Sequence, residues 1–237
     1  VETMRTTVSA MGGAGSIGIT VMEPSAAAQA ELIRVAQEEG ADWVIIQPPL
    51  GPPARPADWL DMLAPLIDGS ALPVAIQNAT IAGTRLSSED LVTLQGRAPN
   101  LVGVKAETES EDVAAFCEEY GARFRVINGN WGVEYPFFRR HGSHGLIPAP
   151  NFVKEQVAIH CATEAGDFDH AEDIHARILP LMQFLRERPA PEAQIVLGRH
   201  AYAWRTGIDP GTNRAPGPTA PDTRMLAHAK RLWDRLA

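Results

Sequence analysis

The sequence predicts an α/β fold in which parallel strands are joined by helices. Short runs of β-branched residues alternate with longer helical patterns, and about 30 residues separate one strand from the next. Six strands can be counted in this way. Parallel strands are covered on both faces in an open doubly wound sheet and in a (β/α)8 barrel alike, so the alternation alone leaves both architectures open.

The first half of the chain supplies four strand–helix units. Strands are expected at 15–21, 43–47, 73–77 and 101–105. Helices are expected at 25–39, 57–67, 88–94 and 108–121. Ser25 is placed to cap the first of these helices, and Gly40 stands where a helix typically ends. Thr108 and Glu111 have the spacing of a capping box that would open the fourth.

The second half of the chain becomes progressively more helical. Two more strands are expected at 124–128 and 145–147, with a helical stretch at 133–140 between them. After Asn151 the pattern is wholly helical, with helices expected at 152–165, 168–187, 192–206 and 222–236. A loop rich in proline and glycine precedes the last helix.

Composition excludes several classes of protein. The chain has 237 residues and a net charge of −8, and it lacks the basic stripe that nucleic-acid binding usually needs. No apolar run approaches the roughly 20 residues of a membrane span, and the first residues lack the layout of a signal peptide. Cys117 and Cys161 fall inside apolar helical patterns, so we expect reduced core thiols in a cytoplasmic protein.

The sequence gives no reason to expect a metal or an organic cofactor. His141 and His144 share a loop without a third ligand nearby. The glycines from Gly13 to Gly18 match G-x-G-x-x-G, but a dinucleotide fingerprint follows a strand and opens a helix, whereas this segment precedes a strand.

Lys105 is the residue that most strongly suggests chemistry. It closes an otherwise apolar strand, and counting by twos places Leu101, Gly103 and Lys105 on one face and two valines on the other. In a parallel barrel the lysine would point inward at the carboxyl ends of the strands, where such folds carry their catalytic groups. An amine among apolar walls can act as a nucleophile near neutral pH, whereas at a strand end it can also simply reach solvent. The strand alone leaves both readings open.

Five segments, in order along the chain, resemble the dihydrodipicolinate synthase / N-acetylneuraminate lyase family. They are Gly40–Pro49, Leu72–Asn78, Leu101–Lys105, Gly129–Trp131 and Gly145–Asn151. The resemblance implies a (β/α)8 TIM barrel of which strands 3–8 are represented, followed by a C-terminal helical extension. It makes residues 1–150 the barrel units with strands 3 to 8, and residues 151–237 the last barrel helix and the C-terminal helical region of the same domain.

The same resemblance implies a class I lyase, with Lys105 forming a Schiff base with a 2-oxo acid. Gln77 is the second implied catalytic residue. Asn78, Glu107, Gly129, Asn130, Trp131 and Ile147 are implied as substrate-binding residues. A solvated role for Glu107 before the helix remains equally open. No cofactor is implied, and the expected partner is a small 2-oxo acid.

Three departures from the synthases of this family narrow the reaction. Gln77 stands where a synthase has its relay tyrosine, Leu50 where it has a second tyrosine, and Ala82 where it has an arginine. An amide cannot relay protons as a phenol can. Gln77 together with Lys105-x-Glu107-Thr108 is more similar to the branch that dehydrates 2-keto-3-deoxy sugar acids. An aldolase of the same family, a synthase-like protein and a silent barrel that binds 2-oxo acids remain alternatives.

The chain resembles only the later part of the family's sequence. The chain starts where the family has the helix before its third strand, so two βα units of about 60 residues are expected to be missing from it. A six-strand remnant would expose two sheet edges, so we expect something to fill the gap. Related enzymes lead us to expect a homo-oligomer, a dimer or a tetramer.

Overall fold

The described part of the chain forms one sheet of six strands, whose order in space is their order in sequence. The computed structural model describes residues 1–48, 55–80, 85–188, 192–209, 211 and 222–236, without the side chains of 192–194. The strands are β1 Gly18–Val21, β2 Trp43–Ile46, β3 Val74–Ala79, β4 Leu101–Glu107, β5 Arg125–Asn128 and β6 Gly145–Leu146. All four adjacent pairs from β1 to β5 are parallel, as the strand–helix alternation predicts.

Ten α-helices are found in the described residues. They are α1 Glu2–Met11, α2 Ala26–Glu38, α3 Pro56–Asp68, α4 Ser88–Arg97, α5 Ser110–Tyr120, α6 Tyr135–Arg140, α7 Val153–Glu164, α8 Phe168–Arg186, α9 Gly198–Thr206 and α10 Thr223–Trp233. Short 3₁₀ turns precede α6 and α7, and a π-helical segment, Glu192–Leu197, leads into α9. The single helix predicted at 192–206 is therefore two segments of different winding.

The predicted capping residues are confirmed at α2, and the predicted cap is wrong at α5. Ser25 accepts a hydrogen bond from the Ala28 amide at 3.2 Å, and Gly40 adopts a φ of 88° just past the end of α2, both as predicted. Thr108, in contrast, is not the cap of α5. Strand β4 continues in register with β3 as far as Glu107, so the helix begins later, after Glu109, and without a side-chain cap.

The chain divides into two compact units. The first comprises Val1–Asn128 and His141–Gly145, and the second comprises Gly129–Arg140 and Leu146–Ala237. In the first unit, apolar strand residues pack against the inner faces of the helices. This core includes Val44, Ile46, Leu63, Ile67, Val74, Ile76, Leu94, Leu101 and Val126, each fully buried. Burial of this many large aliphatic side chains, each contributing about 1.5–3 kcal/mol, is what holds the sheet and its helices together.

The second unit has a core of its own, made by helices. Buried residues from α6, α7, α8 and α10 form one hydrophobic cluster that includes Tyr135, Ile159, Ile174, Ile178, Leu181, Met182 and Leu232. Burial raises the pKa of Tyr135 to about 12, while its hydroxyl is hydrogen-bonded to His160 Nδ1 at 2.6 Å. This tyrosine is therefore a neutral core residue.

The two cysteines differ in environment. Cys117 is buried in α5, and burial raises the pKa of its thiol to about 12, as expected for a core thiol. The prediction of a core position is wrong for Cys161, which is exposed on α7. That helix buries Gln156 and Thr163 on its inner face and leaves Val153, Val157 and Cys161 outside, so its apolar pattern does not mark its buried side.

Candidate active site

Lys105 lies two residues before the end of β4, with its side chain 16% exposed. Its register partner on β3 is Gln77, and the partner of Glu107 is Ala79. Because side chains alternate along a strand, Gln77, Lys105 and Glu107 all lie on one face of the sheet at the carboxyl ends of two adjacent strands. Lys105 therefore lies next to Gln77 and Glu107 near the carboxyl end of its strand.

The three side chains form a closed triangle of polar contacts. The Lys105 Nζ donates to Gln77 Oε1 at 3.2 Å and lies 3.1 Å from Glu107 Oε1. Gln77 Nε2 donates to the other carboxylate oxygen of Glu107 at 2.7 Å. The Glu107 side chain is only 19% exposed. The amide of Gln77 therefore fixes both the amine and the carboxylate, and the carboxylate lies within proton-transfer distance of the amine.

Two small residues, Ala75 of β3 and Gly103 of β4, are paired one step below Lys105. Gly103 is also paired with Arg125 of β5. A Cβ on Gly103 would lie 2.9 Å from the Arg125 carbonyl oxygen and 3.4 Å from the Ala75 Cβ. Because the first contact is to backbone, any larger residue here would force two strands apart directly beneath the lysine.

Asn78 lies on the opposite face of β3 from Gln77. Its amide nitrogen donates to the Leu86 carbonyl oxygen at 2.9 Å, and its Oδ1 accepts from the Leu86 amide at 2.8 Å. The side chain is 6% exposed. Asn78 therefore does not join the triangle. Its contacts tie the end of β3 to the residues that open α4, which is a positioning role that the sequence reading missed.

A second polar network, also missed, lies on the loops after β3 and β4. Thr80 donates to Glu109 Oε1 at 3.2 Å, and Arg85 lies 2.9 Å from the other Glu109 oxygen. Arg85 also pairs with Asp112 of α5. The partners are 24 to 29 residues apart, so no short-range charge pattern in the sequence could have revealed them.

The predicted residues Gly129, Asn130 and Trp131 form a sharp turn in the second unit. Asn130 has a φ of 49°, Trp131 of 63° and Gly132 of 75°, so three consecutive residues are left-handed. A Cβ on Gly132 would lie 2.7 Å from Leu146 Cδ1 and 2.9 Å from Gln156 Nε2, and the positive φ would strain any other residue at this position. Such strain in a bulky residue costs on the order of 1–3 kcal/mol and is found preferentially at functional sites.

Two further predicted positions, Trp131 and Ile147, are partly exposed. Trp131 is half-buried and packs against the hydrophobic cluster of the second unit, while Ile147 is 36% exposed just after β6. Leu50 and Ala82, whose identities argued against a synthase, lie outside the described residues.

The described part of the chain offers neither a metal site nor a membrane span. No group of three or more histidine, cysteine, aspartate or glutamate side chains within it is arranged to hold a metal ion. Among the same residues, none of the helices is both long enough and apolar enough to cross a bilayer.

Relatives of known name share the sequence pattern. The chain is 29% identical over 163 residues to a 4-hydroxy-tetrahydrodipicolinate synthase of Methanosphaerula palustris, an alignment that covers 67% of this chain and 56% of that one. It is 28% identical over 188 residues to the enzyme of the same name from Nitratidesulfovibrio vulgaris, covering 76% and 64%. The chain thus spans less than two thirds of the length of these relatives.

Solved structures share the fold. The 4-hydroxy-tetrahydrodipicolinate synthase of Methylacidiphilum fumariolicum SolV superposes with a TM-score of 0.88 at 19% identity, covering 99% of this chain and 77% of that one. A prophage protein of E. coli K12 from the dihydrodipicolinic acid synthase family, solved in complex with pyruvate, gives 0.87 at 20% identity, covering 99% and 80%. The sequence model of one family matches residues 1–203. The chain belongs to the dihydrodipicolinate synthetase family.

Proposed function

We propose that this chain carries the imine-forming site of a class I lyase that acts on a 2-oxo acid, with Lys105 as the nucleophile. The observation that carries the proposal is the position of the Lys105 amine, 3.2 Å from Gln77 Oε1 and 3.1 Å from Glu107 Oε1 at the end of a buried strand. An amine held in this way has a fixed direction and an adjacent proton acceptor, the two features that nucleophilic catalysis by lysine requires.

Formation of the imine begins with a proton transfer. The Lys105 ammonium passes a proton to Glu107, and the neutral amine then adds to the C2 carbonyl carbon of the substrate. The added nitrogen loses a proton and the carbonyl oxygen gains one, which gives a carbinolamine. The hydroxyl then takes the proton held by Glu107 and leaves as water, while the nitrogen lone pair forms the protonated imine. Because the Gln77 amide cannot titrate, its role is to keep the carboxylate of Glu107 and the amine of Lys105 in position through hydrogen bonds during these steps.

The imine then serves as an electron sink for the bonds at C3. In dehydration, a base removes the C3 proton, the resulting enamine expels the C4 hydroxyl, and that hydroxyl leaves as water after taking a proton. Glu107 is the group in contact with the lysine that can accept the first proton and return it to the leaving hydroxyl. In aldol cleavage, the C4 hydroxyl is deprotonated instead and the C3–C4 bond breaks.

We favour a 2-keto-3-deoxy sugar acid as substrate and dehydration as reaction. Gln77 offers an amide where a synthase of this family would offer a phenol, and Glu107 adds a carboxylate beside it. These groups suit hydroxyl groups on the substrate, whereas a second substrate carboxylate near C4 would be repelled by Glu107. The relatives named 4-hydroxy-tetrahydrodipicolinate synthase make that synthase reaction the natural comparison. An aldolase that releases pyruvate is the second candidate, because the same triangle supports it.

The proposal extends to the rest of the chain. We propose that β1 to β6 correspond to the third to eighth strands of the eight-stranded barrel of the family. The partial coverage of the solved structures, 77% and 80% of their chains, agrees with this. We further propose that the turn at Gly129, Asn130 and Trp131 and the backbone at Ile147 contact the substrate, and that the active protein is a homo-oligomer.

Product analysis tests the proposed reaction. The protein is incubated with a 2-keto-3-deoxy sugar acid, with a hydroxy-2-oxo acid, and with pyruvate plus aspartate semialdehyde. A dioxo acid formed with loss of water supports the dehydratase, and free pyruvate with an aldehyde would replace it by the aldolase. Condensation at an ordinary enzymatic rate, about 1–1000 per second, would make the protein a synthase despite Gln77.

A further inference from the structure

Gln47 directly follows β2 and has a polar side chain that the proposed mechanism does not use. Its main-chain amide donates to the Val21 carbonyl oxygen at 2.9 Å, which continues the ladder between β1 and β2 by one residue. Its carbonyl oxygen accepts from Gln29 Nε2 at 2.8 Å, and Gln29 is completely buried. Because Pro48 follows, Gln47 is also restricted to extended backbone. The main chain at Gln47 is therefore fixed on both sides.

Strand alternation places the Gln47 side chain on the face of the sheet that carries Lys105. Ile46 pairs with Ile76, the residue before Gln77, so the next position of β2 lies beside Gln77. Gln77 pairs in turn with Lys105. Gln47, Gln77 and Lys105 thus form one row across three adjacent strands, near the carboxyl ends and on a single face.

Gln47 differs from the other two members of this row in the partners of its side chain. Gln77 and Lys105 are bonded to each other and to Glu107. The Gln47 side chain is half-buried and makes no hydrogen bond to any residue that the structure describes. An amide can donate two hydrogen bonds and accept others, so a bound molecule with hydroxyl groups would supply partners that the protein itself does not.

The spacing of the row suits the length of a sugar acid. Glu107, which serves C3 and C4 of the substrate in the proposed mechanism, is bonded to the Gln77 amide. The carbons beyond C4 can then continue past Gln77 toward β2. Adjacent strands lie about 4.8 Å apart. The four bonds from C2 to C6, each about 1.5 Å long and joined at angles, span about 5 Å. A six-carbon chain bound at Lys105 therefore brings its far end to Gln47.

We propose that Gln47 binds the hydroxyl groups at C5 and C6 of a 2-keto-3-deoxy sugar acid and so selects a long polyhydroxylated substrate. The inference rests on the proposed imine site at Lys105 and adds to it a residue that determines substrate length. Pyruvate and four-carbon acids end short of Gln47, so they bind without its help. A neutral amide at this position suits hydroxyl groups better than a second carboxylate, which is typically bound by a cation.

Competition against pyruvate trapping tests the role of Gln47 whatever reaction follows imine formation. The whole chain is briefly incubated with labelled pyruvate and borohydride, with a six-carbon 2-keto-3-deoxy acid or with 4-hydroxy-2-oxobutanoate as competitor. Gln47→Met keeps the length of the side chain and removes the amide. We expect the six-carbon acid to compete about fivefold less well or worse, and the four-carbon acid to change by less than about twofold.

Gln37→Met is the matched control, since it makes the same change at an exposed position on α2. Competition by either acid should stay within about twofold of that in the unmodified protein. Equal losses for the two competitors in Gln47→Met, or no loss for the six-carbon acid, would overturn the assignment of Gln47. Absence of pyruvate trapping in the unmodified protein would instead overturn the imine site, and with it the role of Gln47.

Discussion

At the scale of single residues, the contacts of Lys105 explain why a lysine at a strand end becomes chemically distinct. Its amine has two fixed neighbours, Gln77 and Glu107, and these two are bonded to each other. A lysine that simply reached for solvent would have neither. The sequence placed Lys105 on an inward face by strand alternation, and the family resemblance named Gln77 and Glu107. Neither could predict that Gln77 uses both ends of its amide to contact the other two side chains.

Removal of the Glu107 charge should separate imine formation from later proton transfers. In Glu107→Gln the amide can still hold Gln77 or Lys105, but it cannot accept or return a proton. We expect turnover to fall by about 10²–10⁴-fold while slow reductive trapping of pyruvate persists. Steady-state kinetics and trapping are measured on the same preparation.

Glu109→Gln is the control for this variant. Glu109 lies two residues further along, and its partners are Thr80 and Arg85. It should retain turnover within about threefold. A Glu107→Gln enzyme as active as Glu109→Gln would show that Glu107 is not the proton carrier.

Gln77→Ala tests whether a group that cannot titrate still contributes to turnover. Loss of one positioned hydrogen-bonding group in a site of low exposure should slow turnover of a 2-keto-3-deoxy acid by about 10²-fold, about 2.7 kcal/mol. Pyruvate imine formation should remain largely intact. If trapping and turnover fall together, Gln77 only shapes the pocket, and if neither changes, it is a bystander.

At the scale of elements, one buried side chain joins the end of β3 to the residue before the cap of α4. Asn78 makes two hydrogen bonds to the backbone of Leu86 and is 6% exposed. Asn78→Ala would leave a buried amide and carbonyl of Leu86 without these partners, so we expect a loss of about 2–4 kcal/mol in the free energy of unfolding. Urea unfolding measures it.

Asn78→Asp provides a second variant, which keeps the size of the side chain but adds a charge. An aspartate can still accept from the Leu86 amide but cannot donate to the Leu86 carbonyl when ionised. Its loss in stability should be similar or larger, because the charge is also buried. A change below about 0.5 kcal/mol in Asn78→Ala would mean that Leu86 is held by other contacts.

Helix α8 contains a histidine that should make stability depend on pH. His175 Nε2 is hydrogen-bonded to the Val133 carbonyl at 2.7 Å, and burial lowers the pKa of the imidazole below its ordinary value. The unfolded chain therefore binds a proton more readily than the folded one. Stability should be complete above about pH 6.5 and should fall as the pH drops through the lowered pKa of the folded state.

His175→Gln should flatten this dependence. The control is His170→Gln, an exposed histidine five residues earlier on the same helix, which should leave the pH dependence as it is in the unmodified protein. Urea midpoints between about pH 5 and 8 make the comparison. An unchanged slope in His175→Gln would assign the pH dependence to other groups.

Strands and helix starts were predictable from the sequence where local interactions determine them. Parallel strands and the cap at Ser25 follow from β-branched runs and a hydroxyl at a helix start. The cap at Thr108 failed because pairing with β3 carried β4 on to Glu107, and strand pairing is a long-range effect. The exposure of Cys161 was missed for a related reason: α7 buries Gln156 and Thr163, against the usual distribution.

At the scale of the whole molecule, the sequence was enough to predict the family but not to choose the reaction. Five motifs in order were enough to identify the family, and the match over residues 1–203 confirms it. Dehydration and aldol cleavage pass through the same imine. The choice between them depends on the distances from Gln77 and Glu107 to the hydroxyl groups of the bound substrate. No spacing in a sequence encodes those distances.

Borohydride reduction in the presence of pyruvate, followed by peptide mass mapping, tests the central claim most directly. Reduction of the imine joins the pyruvate carbon skeleton to the lysine nitrogen, so the adduct marks the nucleophile permanently. We expect one adduct, on the peptide that carries Lys105, and none in a folded Lys105→Ala variant. An adduct on another lysine, or undiminished trapping in Lys105→Ala, would contradict the assignment of Lys105 as the residue that forms the imine.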